Sequence, residues 1–312
     1  MSSNRPHRTS VLRELSPQQA QAVEALALET ARFDGVEALS EQTILHLSSS
    51  SGEHRHLLFV GEADGEVLGY AHLDHTGSAP GSEIVVAPGR RRAGVGTAVW
   101  ASLTQIAPDA RVWSHGHLEA ARGWAASLGL TVVRELRRMA RPLAGLENTE
   151  ASLPPGYSAR TFTPADIDAW VRINGRAFAD HPEQGRVTAD DVRARMREDW
   201  FDPLGFFLIE APAQHDEPDG ASDISRLAAF HWTKTADGEG EVYVVGVDPS
   251  RQGLGLGKAA TSIGLAHLAQ QGLPRVTLYV DGDNTAALAT YERLGFENIA
   301  LDVMYGPAAT RP

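Results

Sequence analysis

Residues 241–257 read EVYVVGVDPSRQGLGLG, and the order of residue types in them decides the fold. Glu241 to Val247 is a β-branched run of strand character. Asp248-Pro249 ends it, and Gly253, Gly255 and Gly257 lead into an apolar-periodic helix. A strand, a short loop, glycines and a helix start make an anion site. The first helical amides point outward, the helix dipole adds positive potential, and glycines let a phosphate approach the backbone.

The same construction occurs 161 residues earlier (position 249 against 88), where PGRRRAGVG at 88–96 aligns with PSRQGLGLG at 249–257 without a gap. A second pair, Leu128-Gly129-Leu130 and Leu294-Gly295-Phe296, repeats at an offset of 166. Two matches in one order at nearly one spacing point to a duplicated domain. The chain has 312 residues, which suits two domains, placed at 1–140 and 157–312. The linker expected between them, Arg141 to Gly156, is rich in Pro and Gly and lacks periodicity.

Outward from the glycine turns, each half reads as helix, hairpin, strand, turn and helix. Ser16 to Asp34 is an Ala-rich helix with Ser16 as N-cap and Pro17 at its first position. His56 to Asp74 is a hairpin about Ala63-Asp64-Gly65, and Glu83 to Ala87 is the strand before the first glycine turn. In the second half, Pro164–Ala179 and Ala189–Trp200 read as helices. Phe206–Ala211 and Arg226–Lys234 read as a hairpin whose connection, 212–225, is polar and Pro/Gly-bearing.

Composition narrows the function classes. Hydrophobic residues are 42% of the chain, enough for two cores, and there is no cysteine, which removes disulfides, cysteine zinc sites and thiol nucleophiles. The net charge of −12 disfavours wrapping nucleic acid or coating an anionic membrane. No apolar leader core opens the chain and no run of 18 apolar residues occurs, so a soluble, cytoplasmic, monomeric protein is expected.

Other phosphate motifs fit less well. A Walker loop needs glycine where Gln252 stands and Ser or Thr where Ala259 follows Lys258. A dinucleotide fingerprint would place its glycines directly after the strand, whereas Asp248-Pro-Ser-Arg-Gln252 intervenes.

The loops Gln252-Gly-Leu-Gly255-Leu-Gly257 and Arg91-Arg-Ala-Gly94-Val-Gly96 resemble the Arg/Gln-x-x-Gly-x-Gly/Ala signature of the GNAT acetyltransferases. Tyr279-Val-Asp-Gly-Asp-Asn284 through Tyr291 to Gly295-Phe296 is similar to that family's strand, Asn-led helix, tyrosine and Gly-Phe run. The resemblance covers most of both halves. It implies an α/β mixed-sheet fold, two tandem acyl-CoA N-acyltransferase domains, and acetyl-CoA as co-substrate. By it, the acetyl-CoA contacts are Val245, Gly246 and Val247 on the strand, with Gln252, Gly253, Leu254, Gly255, Leu256, Gly257 and Lys258 on the loop. Asn284, Thr285, Ala286, Ala287, Leu288 and Ala289 follow on the second helix. In the first copy they are Ile84, Val85, Val86, Arg91, Arg92, Ala93, Gly94, Val95 and Gly96.

Amide formation from a thioester needs a neutral amine, a polarised carbonyl and a proton for the leaving thiolate. The resemblance gives direct attack by the amine, the backbone N–H near Val245 on the thioester oxygen, Tyr291 as general acid and Glu241 as base or amine anchor. At the two repeat offsets the first copy has Pro80 for Glu241, Leu118 for Asn284 and Ala125 for Tyr291, so it is expected to be catalytically degenerate.

Further runs in both halves resemble the mycothiol synthases, a tandem-domain branch of GNAT enzymes. They are DGVEALSEQ at 34–42, Phe178 to Gly185, Trp200-Phe-Asp-Pro203, Phe230 to Lys234 and Gly240 to Pro249. That likeness implies the cysteinyl amine of cysteinyl-glucosaminyl-inositol as acceptor, held by Glu41, Glu183, Lys234, Glu241 and Tyr279. Alternatives are a tandem GNAT enzyme for another small amine, such as an aminoglycoside, or a non-catalytic acetyl-CoA sensor. The twelve histidines include His54-Arg-His56, His72-x-x-His75 and His115-Gly-His117, none with helical metal-ligand spacing, and no metal is expected.

Overall fold

The structure is a computed structural model that describes residues 7–48, 53–61, 65–75, 79–147, 152–179, 181, 184–212 and 226–308. The chain forms two compact units. Unit 1 is 1–136 with 300–312, and unit 2 is 137–299.

Unit 1 starts with β1 (His7–Leu12) and α1 (Pro17–Asp34). Ser16 caps α1 in a reciprocal capping box with Gln19, and Gly35 closes it at φ 74°. After the short α2 (Glu41–His46), β2 (His54–Gly61), β3 (Val67–Asp74) and β4 (Gly81–Val86) form an antiparallel meander with β1. The tip of the expected β2–β3 hairpin, 62–64, lies outside the described residues. The crossover helix α3 (Val95–Ile106) then brings β5 (Arg111–Ser114) parallel to β4. α4 (Glu119–Ser127) and β6 (Leu130–Pro142) follow, β6 passing into unit 2 at Arg137. One core packs Leu57 and Leu73 of the sheet against Val99 and Leu103 of α3, and another packs Val23 and Leu26 of α1 with Tyr70 of β3.

Unit 2 repeats the order. β7 (Ser158–Thr161), α5 (Ile167–Ala177) and α6 (Ala189–Arg195) precede β8 (Phe206–Glu210), β9 (Leu227–Ala236) and β10 (Glu239–Val247). β7 to β10 are again antiparallel, and α7 (Leu256–Gln270) crosses over to β11 (Arg275–Asp281), parallel to β10. α8 (Thr285–Arg293) and β12 (Glu297–Pro307) complete the chain. The core around α5 is aromatic: Trp232 stacks on Phe206 at 4.4 Å, with Trp170 edge-on to both. Residues 213–225 of the polar β8–β9 connection lie outside the described residues.

The units divide differently from the boundary read in the sequence. β12 from Ala300 onward belongs to unit 1, where Val303, Met304 and Tyr305 pair antiparallel with Ser114, Trp113 and Val112 of β5. In unit 2 the strand beside β11 is β6, drawn from the middle of the chain. Arg141 and Pro142, read as linker, are the end of β6. Proline at a strand end forfeits no ladder bond, so it does not stop the strand earlier.

Candidate functional site

The glycine turns fold as their composition requires. In unit 2, Gly253 and Gly255 have φ of 81° and 80°, a left-handed conformation that L side chains rarely adopt, and α7 starts directly after them. Asp248, buried at the end of β10, accepts from Ser250 N at 3.0 Å and pairs with Arg176, which fixes the loop's root. Gln252, Leu254 and Lys258 are exposed around the α7 start, whereas Arg251 donates to the Tyr157 hydroxyl at 3.3 Å.

In unit 1, Gly94 (φ 85°) and Arg92 (φ 62°) make the same turn before α3. The turn opens onto a cavity of about 580 Å³ lined by Ile84, Val85, Val86, Arg91, Arg92, Gly94, Val95 and Gly96. Ala93, expected with them, is not in the lining. Trp124, Leu118 and Tyr305, which sequence reasoning missed, also line the cavity. Arg91 is not a spare cation: both its amino groups donate to Asp34 at 2.7 and 2.6 Å, and these bonds with the carboxylate charge raise its pKa despite partial burial.

The second feature is a strand irregularity. β10 pairs with β9 in steady register except for a bulge at Tyr243, between Val242 and Val244. The parallel β10–β11 ladder covers only Gly240–Val242 against Val276–Leu278, so Val244 to Val247 lie beyond it. Val245 and Val247 are half-buried, and Gly246 is a necessity, because a Cβ there would lie 2.6 Å from the Phe230 ring. β4 of unit 1 has no such bulge within its described ladder, and its pairing with β5 runs through Glu83↔Trp113.

The extra residue corrects the alignment of the two copies. Glu241 lies opposite Lys234 on β9 and Thr277 on β11, and the residue so placed in unit 1, opposite Asp74 and Arg111, is Gly81 rather than Pro80. Either way unit 1 has no carboxylate there.

Around Glu241 the sheet gathers polar and aromatic groups. The Lys234 ammonium sits 4.8 Å from the Trp200 ring and 5.5 Å from that of Tyr243, whose hydroxyl accepts from Arg195 Nε at 2.8 Å. Tyr279, two residues past Thr277 on β11, is 45% exposed with the Arg138 guanidinium over its ring. His181 Nε2 stands 3.5 Å from Asp281, while its Nδ1 accepts the Gln184 N–H at 3.0 Å. Trp200, Tyr243, His181 and Asp281 were not picked out as site residues. They lie on four different elements or loops, with no shared local motif. Glu183 lies outside the described residues, and Glu41 is an exposed residue in the first turn of α2 in unit 1.

Tyr291 is buried on α8 in one cluster with Val242 and Val280, with Val245 and Ala287 packed against it. The Phe296 ring meets it edge-on at 5.7 Å. Burial raises its pKa to about 12, so the phenol keeps its proton across the neutral range. Asn284 caps α8, its Oδ1 accepting from Ala287 N at 3.1 Å. Thr285 and Ala286 are exposed, and Leu288 and Ala289 half-buried. The residue at the Tyr291 position of unit 1, Ala125, is fully buried and carries no polar group.

Unit 1 instead contains a charged network. Glu83 is buried and accepts the Ser40 N–H at 2.8 Å, with His115 Nε2 at 3.6 Å, an ion pair too long for a hydrogen bond. His115 Nδ1 donates to Asp302 at 3.1 Å, and Asp302 also accepts the Gly116 N–H at 2.7 Å. Burial alone would lower the His115 pKa, but the two carboxylates outweigh it and raise it to about 10. Burial likewise opposes ionisation of Glu83, and His115 and Ser40 reverse that to about 2. A raised histidine contributes stability that is whole below its unfolded value of about 6.5 and lost as pH rises through its folded value. Urea midpoints should therefore fall between pH 7 and pH 10 in the native protein, and fall less in His115→Gln; parallel declines would show that the pair is not the cause.

Comparison with known proteins agrees with this architecture. The sequence model of the acetyltransferase (GNAT) family matches residues 22–130 and 170–296. The mycothiol acetyltransferase of Thermomonospora curvata is 51% identical over 296 residues, covering 93% of this chain and 94% of that one. The mycothiol acetyltransferase of Streptomyces coelicolor is 47% identical over 307 residues, covering 96% of both chains. Among solved structures, a tandem GNAT protein from the clavulanic acid biosynthesis pathway superposes with a TM-score of 0.67 at 18% identity, covering 98% of this chain and all of that one. A GCN5-related N-acetyltransferase from Sphaerobacter thermophilus gives 0.65 at 22% identity over 96% of both chains. These two share the fold. Twin glycine-turn repeats, a bulged strand beside a splayed partner, and near full-length relatives agree, and the chain belongs to the GNAT acetyltransferase family, within it to the mycothiol acetyltransferases.

Proposed function

We propose that unit 2 transfers acetyl from acetyl-CoA to the cysteinyl amine of cysteinyl-glucosaminyl-inositol, and that unit 1 holds acetyl-CoA without turning it over. The observation that carries this is the asymmetry of the copies. Both have the glycine turn at a helix start, but only unit 2 has a carboxylate at the Glu241 position and a phenol at the Tyr291 position, where unit 1 has Gly81 and Ala125.

Each helix start suits a pyrophosphate: its amides are unbonded within the helix, and glycine removes the side chains that would hold the anion away. Beyond the β10–β11 ladder, the edge of β10 from Val244 offers backbone groups to an extended thioester arm, with an N–H near Val245 for the thioester oxygen. Glu241 takes the ammonium proton, directly or through water, and the neutral amine attacks. Tyr291 hydrogen-bonds to the sulfur as the C–S bond breaks, and the second amine proton passes to the departing thiolate, so that the products are the amide and the free CoA thiol. Lys234, Tyr279, Glu41 and Glu183 are assigned to the acceptor, whose many hydroxyls suit carboxylate and phenol partners.

The test is incubation of the purified chain with acetyl-CoA and a panel of amines, among them cysteinyl-glucosaminyl-inositol and an aminoglycoside. Released CoA is separated by chromatography because this acceptor carries its own thiol. Turnover should be strongest with the cysteinyl acceptor. Equal rates across the panel would overturn the acceptor, and no CoA release with any amine would overturn the enzyme reading.

A further inference from the structure

The polar interior of unit 1 holds a feature that acetyl transfer does not use. His46 on the last turn of α2, His54 on β2 and His72 on β3 converge, with one ring nitrogen of each within 4.8 Å of the others. His54 and His72 are buried and His46 half-buried. The His46 and His54 rings stack at 4.6 Å, and His72 is tilted 5.1 Å from His46. We propose that His46, His54 and His72 form a binding site for a divalent first-row transition metal, zinc in the first instance.

Three observations support it. A tetrahedral ion with metal–nitrogen bonds of about 2.0–2.1 Å holds its ligand nitrogens roughly 3.3 Å apart. His46 Nδ1 and His72 Nε2 are already 3.2 Å apart. The remaining ring has to close by about 1.5 Å at most, a side-chain rotation rather than a refolding.

Outer partners aim the rings. Thr43 Oγ1 lies 3.2 Å from His72 Nδ1; by accepting that N–H it leaves the Nε2 lone pair facing the cluster. The Gln42 side-chain amide lies 2.6 Å from His46 Nε2, and with its oxygen turned to that nitrogen it fixes the lone pair on Nδ1. Three imidazole donors select zinc, copper or nickel over magnesium or calcium. Finally, half-buried His46 and exposed Gln42 give the ion a way in, and solvent can complete four-coordination.

The site would tie α2 to the β2–β3 hairpin. α2 is the segment whose N-cap, Ser40, supplies the N–H to buried Glu83, so the ion would brace the network at the unit 1 cavity without touching the acetyl group.

The test uses the full chain without a histidine tag, stripped with chelator, dialysed and titrated with zinc chloride by calorimetry. One saturable zinc per chain is expected, with a cobalt(II) form showing the visible bands of four-coordinate cobalt. His46→Ala should weaken zinc at least tenfold, and His267→Ala, in unit 2, should leave it unchanged. Circular dichroism checks folding; should His46→Ala not fold, Gln42→Leu at its exposed position should weaken zinc about tenfold. No saturable uptake, or native affinity in the folded variant, would overturn the site and leave the 3.2 Å contact as an imidazole–imidazole hydrogen bond.

Discussion

Tyr291→Phe should lower kcat for acetyl transfer about 10²–10³-fold with little change in KM for acetyl-CoA, the loss expected for one donor aimed at developing charge. Phenylalanine preserves the packing with Val242 and Phe296 and removes only the hydroxyl. The size of the effect follows from relative acidity. A phenol raised to about 12 is a weaker acid than an ordinary thiol at about 8.5, so complete proton transfer to the departing thiolate runs uphill. What the phenol supplies is a hydrogen bond that strengthens as negative charge collects on sulfur. Its raised pKa also means that Tyr291 stays a donor through pH 10, so no alkaline loss of kcat should trace to it. Near-native turnover in steady-state assays of the variant would remove Tyr291 from the reaction.

Glu241→Gln should lower kcat/KM for the amine about tenfold at pH 7, because the variant then depends on the fraction of amine that the solution itself leaves neutral. The pH profile distinguishes a base from an anchor. An α-amino group titrates near 7.7–8.0, so about one molecule in ten is already neutral at pH 7. A variant lacking only the base recovers as the solution deprotonates the amine, gaining about tenfold between pH 7 and pH 9. A variant lacking an anchor for the ammonium loses affinity instead and gains nothing from alkali. Recovery with pH supports the base; a flat profile with raised KM assigns Glu241 to binding.

What could be read from the chain was what short-range chemistry dictates. The glycine turns, the caps at Ser16 and Asn284, and the duplicated order of strands and helices each depend on residues a few positions apart, and each is present. The bulge at Tyr243 was not legible, because a bulge is a relation between two strands and every residue in β10 is an acceptable strand former. That single residue misplaced the Glu241 counterpart by one position. Arg91, expected among the acetyl-CoA contacts, has both its amino groups donating to Asp34 on another element. His54 and His72 stand at short spacings from His56 and His75, but the three histidines that meet are brought together by a helix and two strands. The largest omission, the destination of β12, has no local signal at all. Its apolar residues would suit either sheet.

That destination bears on how the chain is made. Unit 1 cannot complete its sheet from its own half of the sequence, because β5 pairs with residues roughly 190 positions later, and such non-local pairings form slowly. On a ribosome, unit 2 has nearly all its residues before unit 1 receives Asp302, the partner of His115. Unit 1 is therefore the last to be finished. A chain cut before residue 300 would leave it with an open sheet edge at Arg111–Ser114 and a half-buried histidine short of one carboxylate.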